Sequence, residues 1–207
     1  MSVDGKIATW AGDSKLSSRE DLMRVHRLRA SVDGIMVGKT TVQVDDPRLT
    51  VKLVTGRNPQ RIIVDSLART PTRARVVRTA RETPTLIAVT ARAPRQRVIA
   101  LEKAGVNVLK CGNGRLVSLT QLLGKLKAMG MRRILVEGGG TLNWSMLREG
   151  LVDEILVAVS PTILGGEDAV SLVEGPGVRT TTAGIRLRLV SSRRYGVDLV
   201  LRYKLID

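Results

Sequence analysis

The feature that most limits the fold is a regular exchange, between residues 34 and 130, of short β-rich runs with helix-like segments. The runs are Gly34 to Gly38, Arg61 to Asp65, Thr85 to Thr90 and Val106 to Leu109, while helical patterns lie near Arg95 to Ala104 and Leu119 to Met129. Strands exchanged with helices in this way are joined by crossovers, and crossovers make parallel sheets. Gly105 and Gly130 stand where helix stops belong. Upstream, Ser17-Ser18-Arg19-Glu20-Asp21 forms a capping box ahead of Leu22, Val25 and Leu28, whose spacing puts apolar groups on one face and predicts a helix. Downstream, Leu142 to Leu147 predicts a short helix ending near Gly150, and Glu154 to Val159 a strand. Ile185 to Ser191 and Val197 to Leu205, separated by Ser192 to Gly196, predict a terminal antiparallel hairpin. The fold class is therefore α/β: a mixed, mostly parallel sheet with helices on both faces, closed by antiparallel strands. Residues 70–84 and 160–184 are expected to be loop-rich, and no repeat or Pro-rich linker divides the chain.

One turn singles itself out. The run Ile134-Leu135-Val136 leads through Glu137 into Gly138-Gly139-Gly140, and a helix begins near Thr141. Without Cβ atoms the main chain can be approached closely, and the free N–H groups at a helix start favour an anion. A nucleotide pyrophosphate suits such a turn; a plain strand-to-helix turn needing positive φ suits it equally. The spacing matches neither the dinucleotide G-x-G-x-x-G pattern nor a phosphate loop.

The rest of the composition mainly excludes. In 207 residues there is one cysteine, Cys111, and one histidine, His26, so an internal disulfide framework and a Cys/His zinc cluster are ruled out and no metal is expected. His26 lies beside the helical stripe and reads as structural or surface. Apolar runs such as Ile155 to Val159 fall far short of the roughly 20 residues a bilayer span needs, so no membrane is expected. With no charged and apolar leader at its start, the chain is expected in a reducing cytoplasm. The net charge of +15 raises the question of nucleic acid. However, the basic residues are scattered, and with no Phe, two Tyr and two Trp there is little to stack on bases. A basic surface attracting phosphorylated small molecules is the better reading.

Five segments occur in an order that resembles one family. They are Ser2-Val3-Asp4-Gly5-Lys6-Ile7-Ala8, Gly38 through Asp45-Asp46-Pro47-Arg48-Leu49-Thr50, Val64-Asp65-Ser66, Glu137-Gly138-Gly139-Gly140-Thr141, and Pro161-Thr162-Ile163-Leu164-Gly165-Gly166. Together they resemble the 2,5-diamino-6-ribosylamino-4(3H)-pyrimidinone 5′-phosphate reductases of riboflavin biosynthesis, in their stand-alone archaeal and fungal form. The resemblance covers essentially the whole chain and implies a single domain with a dihydrofolate-reductase-like fold, acting as a homodimer. It implies NADPH as hydride donor, leaves NADH open as a second, and gives a phosphorylated pyrimidine as substrate. In the related bacterial bifunctional enzyme a zinc-dependent deaminase precedes this domain; one His and one Cys cannot build that module here. Members usually carry an apolar strand before Ser-x-Asp-Gly-Lys, whereas this chain opens directly on it, so the first strand is expected to be missing.

The reaction so implied opens a ribosylamine to its imine and adds hydride to the former anomeric carbon, leaving a ribityl chain. Lys6 is the first candidate for the proton or positive field this needs, and Asp4 either orients Lys6 or makes the turn; the plain alternative is a surface lysine in a hairpin. The resemblance assigns Thr41, Asp45, Asp65, Ser66, Leu67, Ala68 and Leu116 to the cofactor. Ser66 and Arg69, at the end of an apolar strand where parallel-sheet ligands gather, suit a 2′-phosphate, and Gly138, Gly139, Gly140 and Thr141 suit the pyrophosphate. Ser14, Arg29, Leu49, Lys52 and Glu137 match substrate contacts: Arg29 and Lys52 for a 5′-phosphate, Glu137 for the amino groups of the pyrimidinone. Asp45-Asp46 before Pro47 reads as a turn, not a metal pair. Two rival functions remain open: a pteridine or dihydrofolate-type reductase on the same fold, and a nonenzymatic nucleotide or nucleic-acid binding module.

Overall fold

The computed structural model describes residues 1–206. The chain forms two compact units, one of residues 26–139 and one of residues 1–25 with 140–207. In the first, five parallel strands β1 (Gly34–Gly38), β2 (Gln60–Val64), β3 (Thr85–Val89), β4 (Asn107–Lys110) and β5 (Ile134–Val136) stand in the order β4-β3-β2-β1-β5. The register sets Ile35 beside Arg61 and Leu135, and Ile62 beside Leu86. The inner strands are apolar without alternation because both faces are covered: every residue of β3 is buried. Ile35, Val37, Ile63, Ile87 and Val89 form a core with Val76, Val77 and Leu101. Each such side chain contributes roughly 1.5–3 kcal/mol on burial. A Cβ at Gly34 would stand 2.7 Å from Ile62 Cδ1, so a larger residue there would have to shift that side chain.

Helices supply the crossovers. In α5 (Leu119–Ala128) the Ser118 hydroxyl caps the first turn by accepting from Gln121 N, and Leu119, Leu122 and Leu126 face inward. In α4 (Arg95–Lys103) only Leu101 is buried. Two helices have no counterpart in the sequence reading. The first, α2 (Lys39–Asp45), follows β1 directly and is stopped by Asp46 in the left-handed conformation at φ 40°. The second, α3 (Arg75–Arg78), is a single turn inside the loop-rich 70–84, and the Asp46 carboxylate accepts from Arg75 N at 2.8 Å. Short polar helices of this kind carry almost no periodic signal.

Arg61 is the largest fully buried side chain, 0% exposed, within β2. Its guanidinium donates to Arg48 O at 3.3 Å, Thr79 Oγ1 at 2.8 Å, Thr79 O at 2.9 Å and Thr83 O at 2.5 Å. No carboxylate pairs with it among the described residues, and burial pushes its pKa down to about 10.

In the other unit, α6 (Gly140–Arg148) leads to the antiparallel strands β6 (Glu154–Val159), β7 (Leu187–Tyr195) and β8 (Asp198–Leu205), ordered β6-β8-β7. They form a sheet of their own, and the closing antiparallel strands expected from the sequence lie in it. The hairpin is longer and tighter than the sequence predicts: Ser192 to Tyr195 are strand, Tyr195 pairs Asp198, and a bulge lies between Leu189 and Ser191. Polar and basic residues conceal that second half of the strand because β7 is exposed on nearly its whole length. The helix α1 (Arg19–Ala30) starts at Ser18, whose hydroxyl accepts from Asp21 N at 3.3 Å. Instead of a reciprocal box, Ser18 N donates to Asp198 at 2.7 Å. Among the described residues ahead of α1, the only strand-like pairing is the isolated bridge from Lys6 to Ser171. No helix among them is long and apolar enough to cross a membrane.

Candidate active site

The glycine turn follows β5. Gly138 has φ 85°, which favours glycine, and its carbonyl accepts from Gly38 N at 2.9 Å. Gly139 N donates to Thr41 Oγ1 at 3.2 Å, so Thr41 on α2 holds the turn. A Cβ on Gly139 would meet only Thr41 Oγ1 at 3.5 Å, an ordinary contact, so packing does not demand glycine there. Gly140 differs: its Cβ would stand 2.7 Å from Glu174 Cγ and 2.8 Å from Ser171 O, within the unit that α6 begins. One of the three glycines is thus explained by φ, one by packing, and one leaves open main chain. Asp45, in the last turn of α2, has its carboxyl pushed up by loss of hydration.

At the end of β2 the Asp65 carboxylate is buried and accepts from both Thr70 N at 2.6 Å and Thr70 Oγ1 at 2.8 Å. It closes the loop that carries Ser66, Leu67, Ala68 and Arg69. Ser66 Oγ accepts from Val117 N at 3.1 Å, which fixes the segment containing the exposed Leu116. Ala68, at φ 53°, and Arg69 line a groove of about 470 Å³ with Gln43, Thr70, Thr72 and Arg97. Neither arginine has an ion-pair partner among the described residues. The sequence reading missed Arg97 because it sits on α4, far along the chain from Ser66, and only the crossover brings it here.

Arg29 and Glu137 were read as separate substrate contacts, and the structure joins them. Arg29 Nε donates to Glu137 Oε1 at 2.7 Å and its Nη2 to Oε2 at 2.6 Å, a fork in which both side chains are about one-fifth exposed. Arg29 Nη1 also donates to Thr50 O at 3.2 Å. Next to them His26 is largely buried, and its Nδ1 accepts from Lys52 N at 3.0 Å. Burial first, then the cation of Arg29, pushes the His26 pKa below its ordinary value, while Glu137 opposes. Leu49, at φ 51° and buried, precedes this stretch. His26 is a second residue the sequence undervalued; its place three positions before Arg29 on α1 was the available signal.

In the other unit Asp4 and Lys6 each hold the loop after β6. The Asp4 carboxylate accepts from Leu164 N at 3.1 Å and Gly165 N at 2.7 Å. The Ser2 hydroxyl first, then those two amides, bring its pKa down to about 2. Lys6 Nζ donates to Ala169 O at 3.0 Å, and no Asp4–Lys6 ion pair occurs among the described residues. Ser14 is exposed in the irregular segment before α1, and Thr141 is exposed in the first turn of α6.

Residues 1–201 match the sequence profile of the family described as the RibD C-terminal domain. The chain belongs to the RibD C-terminal domain family. Among relatives of this RibD C-terminal domain, a 2,5-diamino-6-ribosylamino-4(3H)-pyrimidinone 5′-phosphate reductase of Methanothermobacter thermautotrophicus is 50% identical over 98% of this chain and 94% of its own. The solved RibD of Acinetobacter baumannii, form 2, has a TM-score of 0.84 at 26% identity, covering 99% of this chain and 55% of its own; the present domain spans about half of that protein. A dihydrofolate reductase of Enterococcus faecalis has a TM-score of 0.57 at 11% identity over 100% of this chain and 93% of its own. That last likeness concerns the fold alone, and it bears out the dihydrofolate-reductase-like class expected from the sequence.

Proposed function

We propose that residues 1–207 act as one reductase domain that converts 2,5-diamino-6-ribosylamino-4(3H)-pyrimidinone 5′-phosphate to its ribitylamino product with NADPH. The observation that carries this reading is the 50% identity to a protein named for that activity, over nearly the full length of both chains. A nicotinamide dinucleotide suits the residues present. Gly139 leaves main chain open where no Cβ is excluded by packing, and the groove beside Ala68 offers two unpaired arginines to a phosphate. When bound, such a cofactor supplies the hydride. Arg69 is the assigned contact for a 2′-phosphate, and this favours NADPH over NADH. Thr41, Asp45, Asp65, Ser66, Leu67 and Leu116 shape the same end of the parallel sheet, with Asp65 acting through its loop.

On the substrate side, the Arg29 and Lys52 cations are assigned to the 5′-phosphate, with Leu49 and Ser14 as further contacts. The fork with Arg29 uses one direction on each Glu137 oxygen, so the carboxylate keeps acceptor capacity for the pyrimidinone amino groups. Lys6 donates one N–H to Ala169 O and keeps its other donors for the nitrogen and oxygen that change charge when the sugar opens. Asp4 positions the loop rather than the lysine. The net charge of +15 draws a phosphorylated substrate and cofactor toward the protein.

A homodimer fits the exposed apolar residues Leu187, Leu189 and Val190 of the edge strand β7 and Leu199 of β8 beside it, which a second copy would cover. A cytoplasmic location fits the single buried thiol of Cys111. The test is NADPH oxidation with the ribosylamino substrate and with dihydrofolate in parallel. Turnover of the first alone is expected; turnover of dihydrofolate alone would move the protein to the pteridine-type reductases.

A further inference from the structure

We propose that His26 is a positioning residue for the substrate's phosphate, its neutral imidazole fixing the main chain at Lys52 and releasing it on protonation. The inference rests on the assignment of Lys52 to that phosphate. Residues 50–52 lie in no helix or strand, so no ladder satisfies their backbone groups. Three side chains hold them instead, one residue each. Arg29 donates to Thr50 O at 3.2 Å, Asn58 Oδ1 accepts from Val51 N at 2.8 Å, and His26 Nδ1 accepts from Lys52 N at 3.0 Å.

Of these tethers, only the imidazole changes its bonding near neutral pH. A backbone N–H can only donate, so Nδ1 carries no proton in this arrangement and the proton of the neutral ring is on Nε2. A proton on Nδ1 would set two donors against each other, and the Lys52 amide would have to turn away. The groups facing the ring are the Arg29 guanidinium from α1, the Lys52 ammonium from the held segment and the Glu137 carboxylate after β5. The two cations oppose protonation and the carboxylate favours it; together with burial they leave the ring neutral at physiological pH. A third cation at this spot also attracts phosphate, so the sign of the acid response tells whether the lost tether or the added charge dominates.

The experiment compares wild type with His26→Asn and His26→Ala from pH 8 to about pH 5, reading KM for the ribosylamino phosphate and, separately, for NADPH. An Asn amide can present its oxygen where Nδ1 stood but cannot titrate. In wild type, KM for the phosphorylated substrate is expected to rise about fivefold more than in His26→Asn as the pH falls, the effect of one hydrogen bond. The substrate's own phosphate ionisation is common to both proteins and cancels. His26→Ala should show the raised KM at every pH, while KM for NADPH follows the same pH profile in all three proteins, since its 2′-phosphate ionisation is common to them. Parallel pH profiles for wild type and His26→Asn, or a KM that falls in acid only in wild type, would overturn the proposal. The Lys52 amide resonance, followed by NMR without substrate, separates two failures. If wild type does not turn over the substrate, the functional assignment fails, whereas an amide that ignores the His26 titration removes the tether itself.

Discussion

Replacing Arg61 with methionine and with alanine isolates what a buried arginine contributes by its volume. Both variants forfeit the same four hydrogen bonds and the same buried charge, so those effects cancel in the comparison. Most of the abandoned acceptors keep another partner. Thr79 O still receives Glu82 N and Thr83 N, Thr83 O still receives Thr85 Oγ1, and the Thr79 hydroxyl still donates to Arg75 O. Arg48 O is the group left without a partner among the described residues, at a cost of about 1–3 kcal/mol. Against it stands relief from burying a cation whose pKa is pushed down to about 10. Arg61→Met is therefore expected within about 2 kcal/mol of wild type. Alanine additionally empties a site that is 0% exposed, which costs a further 2–5 kcal/mol or so, the range for Met→Ala in a packed core. Urea unfolding followed by circular dichroism measures the difference. At a slope of about 2 kcal/mol per M, the alanine midpoint should lie at least about 1 M below that of methionine. Coincident midpoints would refute the reasoning and show that the bonds to Arg48, Thr79 and Thr83 matter, not the filled volume.

Two further outcomes follow from the same geometry. Arg97→Ala is expected to raise KM for NADPH by about tenfold, as Arg69→Ala should, with KM for NADH nearly unchanged, because a charge-assisted bond to phosphate is worth about 1.5–3 kcal/mol; equal effects on both cofactors in steady-state assays would take these residues off the 2′-phosphate. Gly140→Ala should lower stability by about 1–3 kcal/mol, since its Cβ would meet the Ser171 carbonyl at 2.8 Å and that backbone cannot step aside as a side chain can; an unchanged melting temperature would show that the loop at Ser171 yields freely.

The strands of the parallel sheet were legible because β1, β2 and β3 bury both faces and leave short apolar runs in the sequence, Ile62 to Val64 of β2 among them. The same rule hid the second half of β7: Ser192 to Tyr195, mostly exposed and rich in Ser and Arg, looks like a loop until β8 pairs with it. In the candidate site, the glycine turn and the Asp65-Ser66 loop could be found from residue type and family pattern. Their partners could not. That Arg29 bonds to Glu137, that Lys6 bonds to Ala169 O and that Arg97 joins Arg69 all depend on distances set by pairing of remote segments. A single sequence records the charges at these positions, not which of them have already been spent on one another.

The place of β5 in the sheet has a consequence for how the protein comes to exist. β2, β3 and β4 are added in chain order on one side of β1, each after a modest crossover, whereas β5 docks on the other side, with Ile134 beside Gly34. Joining segments so far apart closes the longest loop in that sheet, and long closures are the slow steps of strand assembly. The turn from Glu137 to Gly139 is therefore set in place last, and a chain emerging from the ribosome acquires a folded scaffold well before it acquires the turn proposed to hold a nucleotide.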